Sequence, residues 1–198
     1  MRRKGKPYGR GNWTTAGLVL LLLLAITTGC GKEATPEISS DVQSAEEIFL
    51  QGNAYIQQGD LEKAAAAFEA ALQAQPDHLG SLSNLGVVYY QQGRLEDAAV
   101  KFEEGLRVAP NDAQLHYLLG ATRLQQNRLD EAEKSFLRAK DLQPDLPEAY
   151  YGLGALYHLQ GKKDEAIEAF ERFLEVGPAQ DPQAEAEAQR ELLELRGY

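Results

Sequence analysis

From Ala45 onward the chain repeats itself every 34 residues, and this period restricts the fold more than any other feature of the sequence. Gly52, Gly86, Gly120 and Gly154 stand in register, as do Ala64, Ala98, Ala132 and Ala166. Phe68, Phe102, Phe136 and Phe170 follow the same spacing, and Pro76, Pro110, Pro144 and Pro178 close each unit. A period of this length marks stacked helical hairpins, each too small to bury its apolar face alone. Composition agrees: alanine, leucine, glutamate and glutamine dominate after residue 44, all strong helix formers. β-Branched residues are sparse there, which argues against a sheet.

Each repeated position has a physical reason. The glycine and the alanine let two antiparallel helices approach closely, and the phenylalanine is expected to fill the gap between hairpins. The proline cannot continue the second helix. Gly59, Gly93, Asn127 and Gly161 stand between the helices, where a left-handed residue ends a helix. Glu62, Glu96, Asp130 and Asp164 follow in the first turn of each second helix and complement its dipole. Helices are therefore expected near residues 45–58 and 61–74 and at every 34 residues thereafter. Ser44 and Glu47 are placed to form a capping box at the start of the first.

These residues resemble the tetratricopeptide repeat over residues 45–178. The resemblance implies an all-α, right-handed superhelical solenoid of four antiparallel hairpins (45–78, 79–112, 113–146 and 147–180). Residues 181–198 are expected to form a C-terminal capping helix from Asp181 and Pro182. That helix would bury Ala184, Ala188, Leu192 and Leu195 and turn Glu185, Gln189 and Arg196 to water. Gln51, Gly105, Arg123 and Phe173 depart from the family pattern without breaking its register.

The amino terminus has a different character. Residues 1–10 are basic, Ala16–Ile26 is an apolar run, and Thr27, Thr28 and Gly29 lead into Cys30, the only cysteine. This is the layout of a secretory signal over residues 1–29. The run of 11 apolar residues is too short to span a bilayer, which takes about 20. Thr27-Thr28-Gly29-Cys30 resembles the lipobox of bacterial lipoproteins, with Thr27 departing from the usual leucine. The resemblance implies cleavage before Cys30 and lipidation of its thiol by acyl chains such as palmitate. More than one such chain makes attachment stable. Cys30 and the polar residues 31–43 read as a tether that reaches at most about 45 Å. Gly31 in place of aspartate favours the periplasmic face of the outer membrane, where a cell has two membranes.

Charge excludes several functions. The first 29 residues hold five of the 20 basic residues and none of the 30 acids, so the remainder carries 15 basic groups and a net charge of −15. Nucleic-acid binding needs clustered lysine and arginine and is not expected. His78, His116 and His158 fall at unequal repeat positions without metal-ligand spacing, and the Gly152–Ala155 stretch GLGA lies inside a repeat helix with no strand before it. No nucleophile and base stand together, so neither an enzyme nor a small-molecule substrate or cofactor is expected. Acids such as Glu103 and Glu104 read as solvent-facing.

What remains is a binding surface. In the tetratricopeptide family the first helix of each hairpin lines a concave groove through repeat positions 2, 5, 9 and 12, opposite a packing stripe at 4, 8 and 11. The resemblance places there Phe49, Asn53 and Ile56 from the first repeat, and Ser83, Val87 and Tyr90 from the second. Tyr117 and Leu124 come from the third, Tyr151 and His158 from the fourth. The same row includes Glu46 and Glu148 but no lysine or arginine. Chaperone-binding members grip a C-terminal carboxylate with cations; Phe49, Gln114 and Leu118 occupy those basic positions here. The row suits an apolar helix or extended segment of a protein partner, with Tyr117 and Tyr151 one hairpin apart on the wall. The sequence is similar to that of lipoproteins that assist pilus secretin assembly or regulate cell-wall enzymes. A self-associating structural lipoprotein is the alternative.

Overall fold

The computed structural model describes residues 43–177 and 182–197. Cys30, the signal and nearly all of the tether lie outside the described residues, as do Pro178 and Asp181. Four hairpins follow one another: α1 Ala45–Gln57 with α2 Leu61–Ala74, α3 Leu79–Gln91 with α4 Leu95–Val108, α5 Ala113–Gln125 with α6 Leu129–Leu142, and α7 Pro147–Leu159 with α8 Lys163–Val176. A last helix, α9, spans Pro182–Arg196. No strand is present among the described residues, and none of the helices there is long and apolar enough to cross a membrane.

Local chemistry sets the helix ends. Ser44 and Glu47 form the expected capping box: the Glu47 N–H donates to Ser44 Oγ at 3.2 Å, and the Ser44 N–H to the Glu47 carboxylate at 2.9 Å. Asp60 and Asp112 cap α2 and α5, and Pro147 opens α7 where its missing N–H costs nothing. Each hairpin turns on a left-handed residue, Gly59, Gly93, Asn127 and Gly161, with φ between 58° and 75°. Asparagine tolerates that region better than other residues with a Cβ.

The glycine of each first helix lies under the phenylalanine of its own second helix. A methyl group added at Gly86 would stand 2.5 Å from the Phe102 ring, and one at Gly120 would stand 2.7 Å from Phe136. The phenylalanine thus fills the inside of its hairpin first, rather than only the gap between hairpins. Phe136 does both, since a methyl at Gly152 of the next hairpin would meet the same ring at 2.6 Å. All four phenylalanines are buried.

Each first helix after α1 is wedged between its partner and the second helix of the preceding hairpin. The stripe that this second contact buries lies at repeat positions 3, 7 and 10: Ser81, Leu85 and Val88, then Leu115, Leu119 and Thr122, then Ala149, Leu153 and Leu156. The expected packing at position 4 therefore needs correction, because Ile48, His116 and Tyr150 there are only half-buried and Leu82 alone is buried. In α1 the equivalents of the buried stripe are Glu47, Gln51 and Ala54, all exposed, so that end of the array meets water.

A ladder of polar bridges ties consecutive hairpins together. The Tyr89 hydroxyl donates to Glu69 at 2.5 Å, and the Tyr157 hydroxyl to Glu133 at 3.1 Å. Arg123 occupies the matching place in the third repeat, buried, and its guanidinium pairs with Glu103, with Glu131 at 3.4 Å and with Gln126 at 2.9 Å. Glu103 is therefore not the purely solvent-facing acid expected from its helix position. A guanidinium taken out of water needs a carboxylate, and Glu103 supplies it.

At the far end α9 packs on α8, burying Ala188 and Leu192 and half-burying Ala184 and Leu195. Phe173 is explained here. Ala71, Gly105 and Ala139 hold its place in earlier repeats, and a methyl at Gly105 would already be 3.0 Å from Leu115 of the next hairpin. Against α9 there is room for a ring, and Phe173 is buried with Ala188 and Leu192. Two residues expected in water are held instead: Arg196 pairs with Glu171, and Glu185 is half-buried and accepts from Gln189.

Gly86→Ala should lose about 1–3 kcal/mol through overpacking against Phe102, although alanine is the better helix former by about 1 kcal/mol. Urea denaturation reads the difference, and an unchanged midpoint would show that the ring moves aside freely. Glu103→Gln should cost about 1 kcal/mol because Arg123 loses its nearest charge, whereas Glu62→Gln, exposed and unpaired among the described residues, should stay within about 0.5 kcal/mol. Equal midpoints for these two variants would remove the ladder from the account of stability.

Candidate functional site: the inner face of the first helices

The array curves because its two sides pack differently. Consecutive first helices touch, α3 on α5 and α5 on α7, while no comparable contact joins consecutive second helices. The first helices therefore line the inside of the curve, and the repeat positions that face neither neighbouring helix open onto it.

All ten residues expected to line this face are half-buried. Phe49 rests 5.8 Å from the Phe68 ring and 5.0 Å from the His78 ring. The Asn84 amide donates to the Asn53 carbonyl at 2.7 Å, joining α1 to α3 across the face. Ile56, Val87 and Tyr90 lean on the core of the first two hairpins, and Tyr117 and Leu124 on that of the last two. Ser83 lies half-buried on α3. At its edge, His78 accepts from the Ser81 N–H at 3.1 Å through Nδ1, leaving Nε2 to donate to Glu46 at 3.1 Å.

The two tyrosines expected to project from the wall are each braced by the phenylalanine of their own hairpin. Tyr117 stands 6.1 Å from Phe136, and Tyr151 stands 5.8 Å from Phe170 and 5.3 Å from Phe173. Tyr151 is also engaged by α9, its hydroxyl donating to Glu187 at 2.9 Å. His158 is met by the same helix, its Nδ1 lying 2.7 Å from the Glu191 carboxylate. Glu187 and Glu191 thus add acid to the end of the face, which sequence reading missed; their four-residue spacing on α9 was the available signal. Next to them Tyr151, Ala155, His158, Leu159, Phe170 and Glu191 enclose a cavity of about 420 Å³. Leu159, 62 % exposed, stands at its mouth.

Each histidine has a structural partner, His116 through Nε2 to the Pro110 carbonyl at 3.0 Å, and among the described residues no group of histidine, cysteine and acids could hold a metal ion. Burial first, and then the bonded carboxylate, push the hydroxyls of Tyr89, Tyr151 and Tyr157 up to about 12. The folded chain holds these protons after the unfolded chain has released them. Stability should consequently fall as pH rises from about 10 to about 12. Tyr151→Phe should flatten that fall, read as the unfolding midpoint across alkaline pH, and an unchanged slope would show that the hydroxyl does not anchor α9.

Family models described as tetratricopeptide repeats match residues 49–105, 86–126 with 122–161, and 147–178. No curated protein sequence matches the chain. Among solved structures, MamA is 25% identical with a TM-score of 0.61, over 73% of this chain and 92% of that one. PilF of Pseudomonas aeruginosa is 23% identical with a TM-score of 0.67, over 77% of this chain and 69% of that one. YrrB, described as a TPR protein with an unusual peptide-binding site, is 21% identical with a TM-score of 0.61, over 77% and 87%. With the interlocked hairpins, the inward first helices and these matches from residue 49 to residue 178, the chain belongs to the tetratricopeptide repeat family.

Proposed function

We propose that this protein is a lipid-anchored scaffold that holds another protein of the bacterial cell envelope against the inner face of its first helices. The observation that supports this is the row of half-buried apolar side chains along that face: Phe49, Ile56, Val87, Tyr90, Tyr117 and Leu124. Side chains braced at the base and open at the edge lose little freedom when a partner covers them, so their burial adds affinity at small entropic cost. The acids at the two ends, Glu46 and the α9 pair Glu187 and Glu191, favour a segment with an apolar centre and basic flanks. Anchoring through Cys30 on the periplasmic face of the outer membrane would keep the array near assemblies such as a pilus secretin or a cell-wall complex. The polar outer face of α1, with Glu47 and Gln51 exposed, argues against end-to-end self-association.

Two measurements test the reading separately. Labelling cells with a fatty-acid analogue should mark the wild-type chain and leave Cys30→Ser unmarked; equal labelling would remove the lipid anchor. A photo-crosslinking residue at Val87 or Leu124 should capture a discrete partner, and one at Val100 on the outer side of α4 should not. Capture from Val100 alone would move the binding site off the inner face.

A further inference from the structure

On the outer side of the array the three clefts between consecutive second helices differ, and the last is unlike the others. At the first two clefts the bridging partners, which join a first helix to the second helix before it, are 20 residues apart, Tyr89 with Glu69 and Arg123 with Glu103. In the last cleft the residue 20 before Tyr157 is Leu137, and Tyr157 bonds one helical turn further back, to Glu133. Lys162, at the start of α8, also pairs with Glu133 of α6 at 3.6 Å, so the polar bridges of this cleft gather at one end and leave its middle open. The opening between α6 and α8 is a cavity of about 860 Å³ floored by Leu137, Tyr150, Leu153 and Tyr157.

Its rim is acidic. Asp141, Glu165 and Glu168 are exposed and make no ion pair among the described residues, while Glu175 is held by Arg172 and Glu171 by Arg196. The cavity between α2 and α4 is smaller, about 500 Å³, and there Lys101 and Arg107, both paired with Glu104, stand against Glu104 and Asp77, so its charge is balanced from within. The floor of the last cleft already hosts cations: Arg172 lies 5.8 Å from the centre of the Tyr150 ring, and Lys162 lies 5.1 Å from that of Tyr157. Aromatic faces beside unpaired carboxylates attract ammonium and guanidinium groups through the ring quadrupole and through charge. After burial and the Glu133 bond, Glu165 and Glu168 also act to hold the Tyr157 proton, which places their field at the floor.

The geometry points to a second docking surface, in which the cleft between α6 and α8 takes a basic segment of a partner protein, an apolar side chain entering between Leu137 and Tyr150 and flanking cations meeting Glu165, Glu168 and Asp141. Such a site is separate from the inner face and does not depend on what binds there. An acidic peptide, a nucleic acid or an anionic membrane would be repelled by the same rim.

The test uses the full chain in detergent micelles and a fluorescein-labelled synthetic peptide with paired lysines flanking a Leu-Phe-Leu centre, read by fluorescence anisotropy. Saturable binding is expected, and the double variant Glu165→Lys, Glu168→Lys should raise Kd about tenfold with unchanged helix content. The double variant Glu62→Lys, Glu96→Lys makes the same change of net charge elsewhere on the array and should leave Kd within about twofold. Val87→Asp, on the inner face, should likewise have little effect. Equal weakening by both charge-reversed pairs, or equally tight binding of a peptide with an all-alanine centre, would overturn the proposal by showing non-specific attraction. Loss of binding with Val87→Asp alone would assign the peptide to the inner face. A concentration-dependent dimer broken by Glu165→Lys, Glu168→Lys, with no peptide binding, would make the cleft an interface between copies of this chain and also overturn it.

Discussion

Contact between a bare helix backbone and an aromatic ring holds each hairpin together. Gly52, Gly86, Gly120 and Gly154 admit Phe68, Phe102, Phe136 and Phe170 to distances at which no Cβ could stand. The rings are buried because the glycines are bare, and the two helices reach their spacing because the rings are there. The rest of the architecture follows from that spacing. Each later first helix docks on the preceding hairpin through leucine and valine, with one small residue, Ser81, Thr122 or Ala149, in each stripe.

This packing also decides where binding surfaces can form. First helices drawn inward touch one another and present continuous rows of side chains, whereas second helices splay and leave clefts. The inner rows are seated on the phenylalanine ladder, so the face is preorganised. The outer clefts differ in the polar contacts that bridge them, Tyr89 with Glu69, then Arg123 with Glu103 and Glu131, then contacts to Glu133 at one end only. One protein thus carries a regular inner face set by the repeat and irregular outer clefts set by individual residues.

The two ends show how an open array meets water. At α1 the stripe that other repeats bury is written in Glu47 and Gln51. At the other end α9 covers α8, and Phe173, a poor fit beside another hairpin, has room there beside Ala188 and Leu192. The same helix reaches Tyr151 and His158 through Glu187 and Glu191, so the element that closes the core also shapes the last part of the inner face.

The sequence by itself determined the helices, their ends, the number of hairpins and the family, because these depend on local chemistry repeated at a fixed interval. Glycine under phenylalanine, asparagine or glycine at a left-handed turn, and Ser44 with Glu47 at a cap all act within one hairpin or one helical turn. The expectation of which residues lie on the inner face comes from the resemblance to the repeat family rather than from the residues alone. The tertiary structure decided what those residues touch. Nothing in the local sequence brings Arg123 to Glu103, Tyr151 to Glu187 or Leu137 opposite Tyr150, because each pairing spans two helices whose relative placement arises only when consecutive hairpins pack. The ladder, the acid at the end of the inner face and the open outer cleft belong to that packing, and their energetics depend on burial that no single repeat possesses.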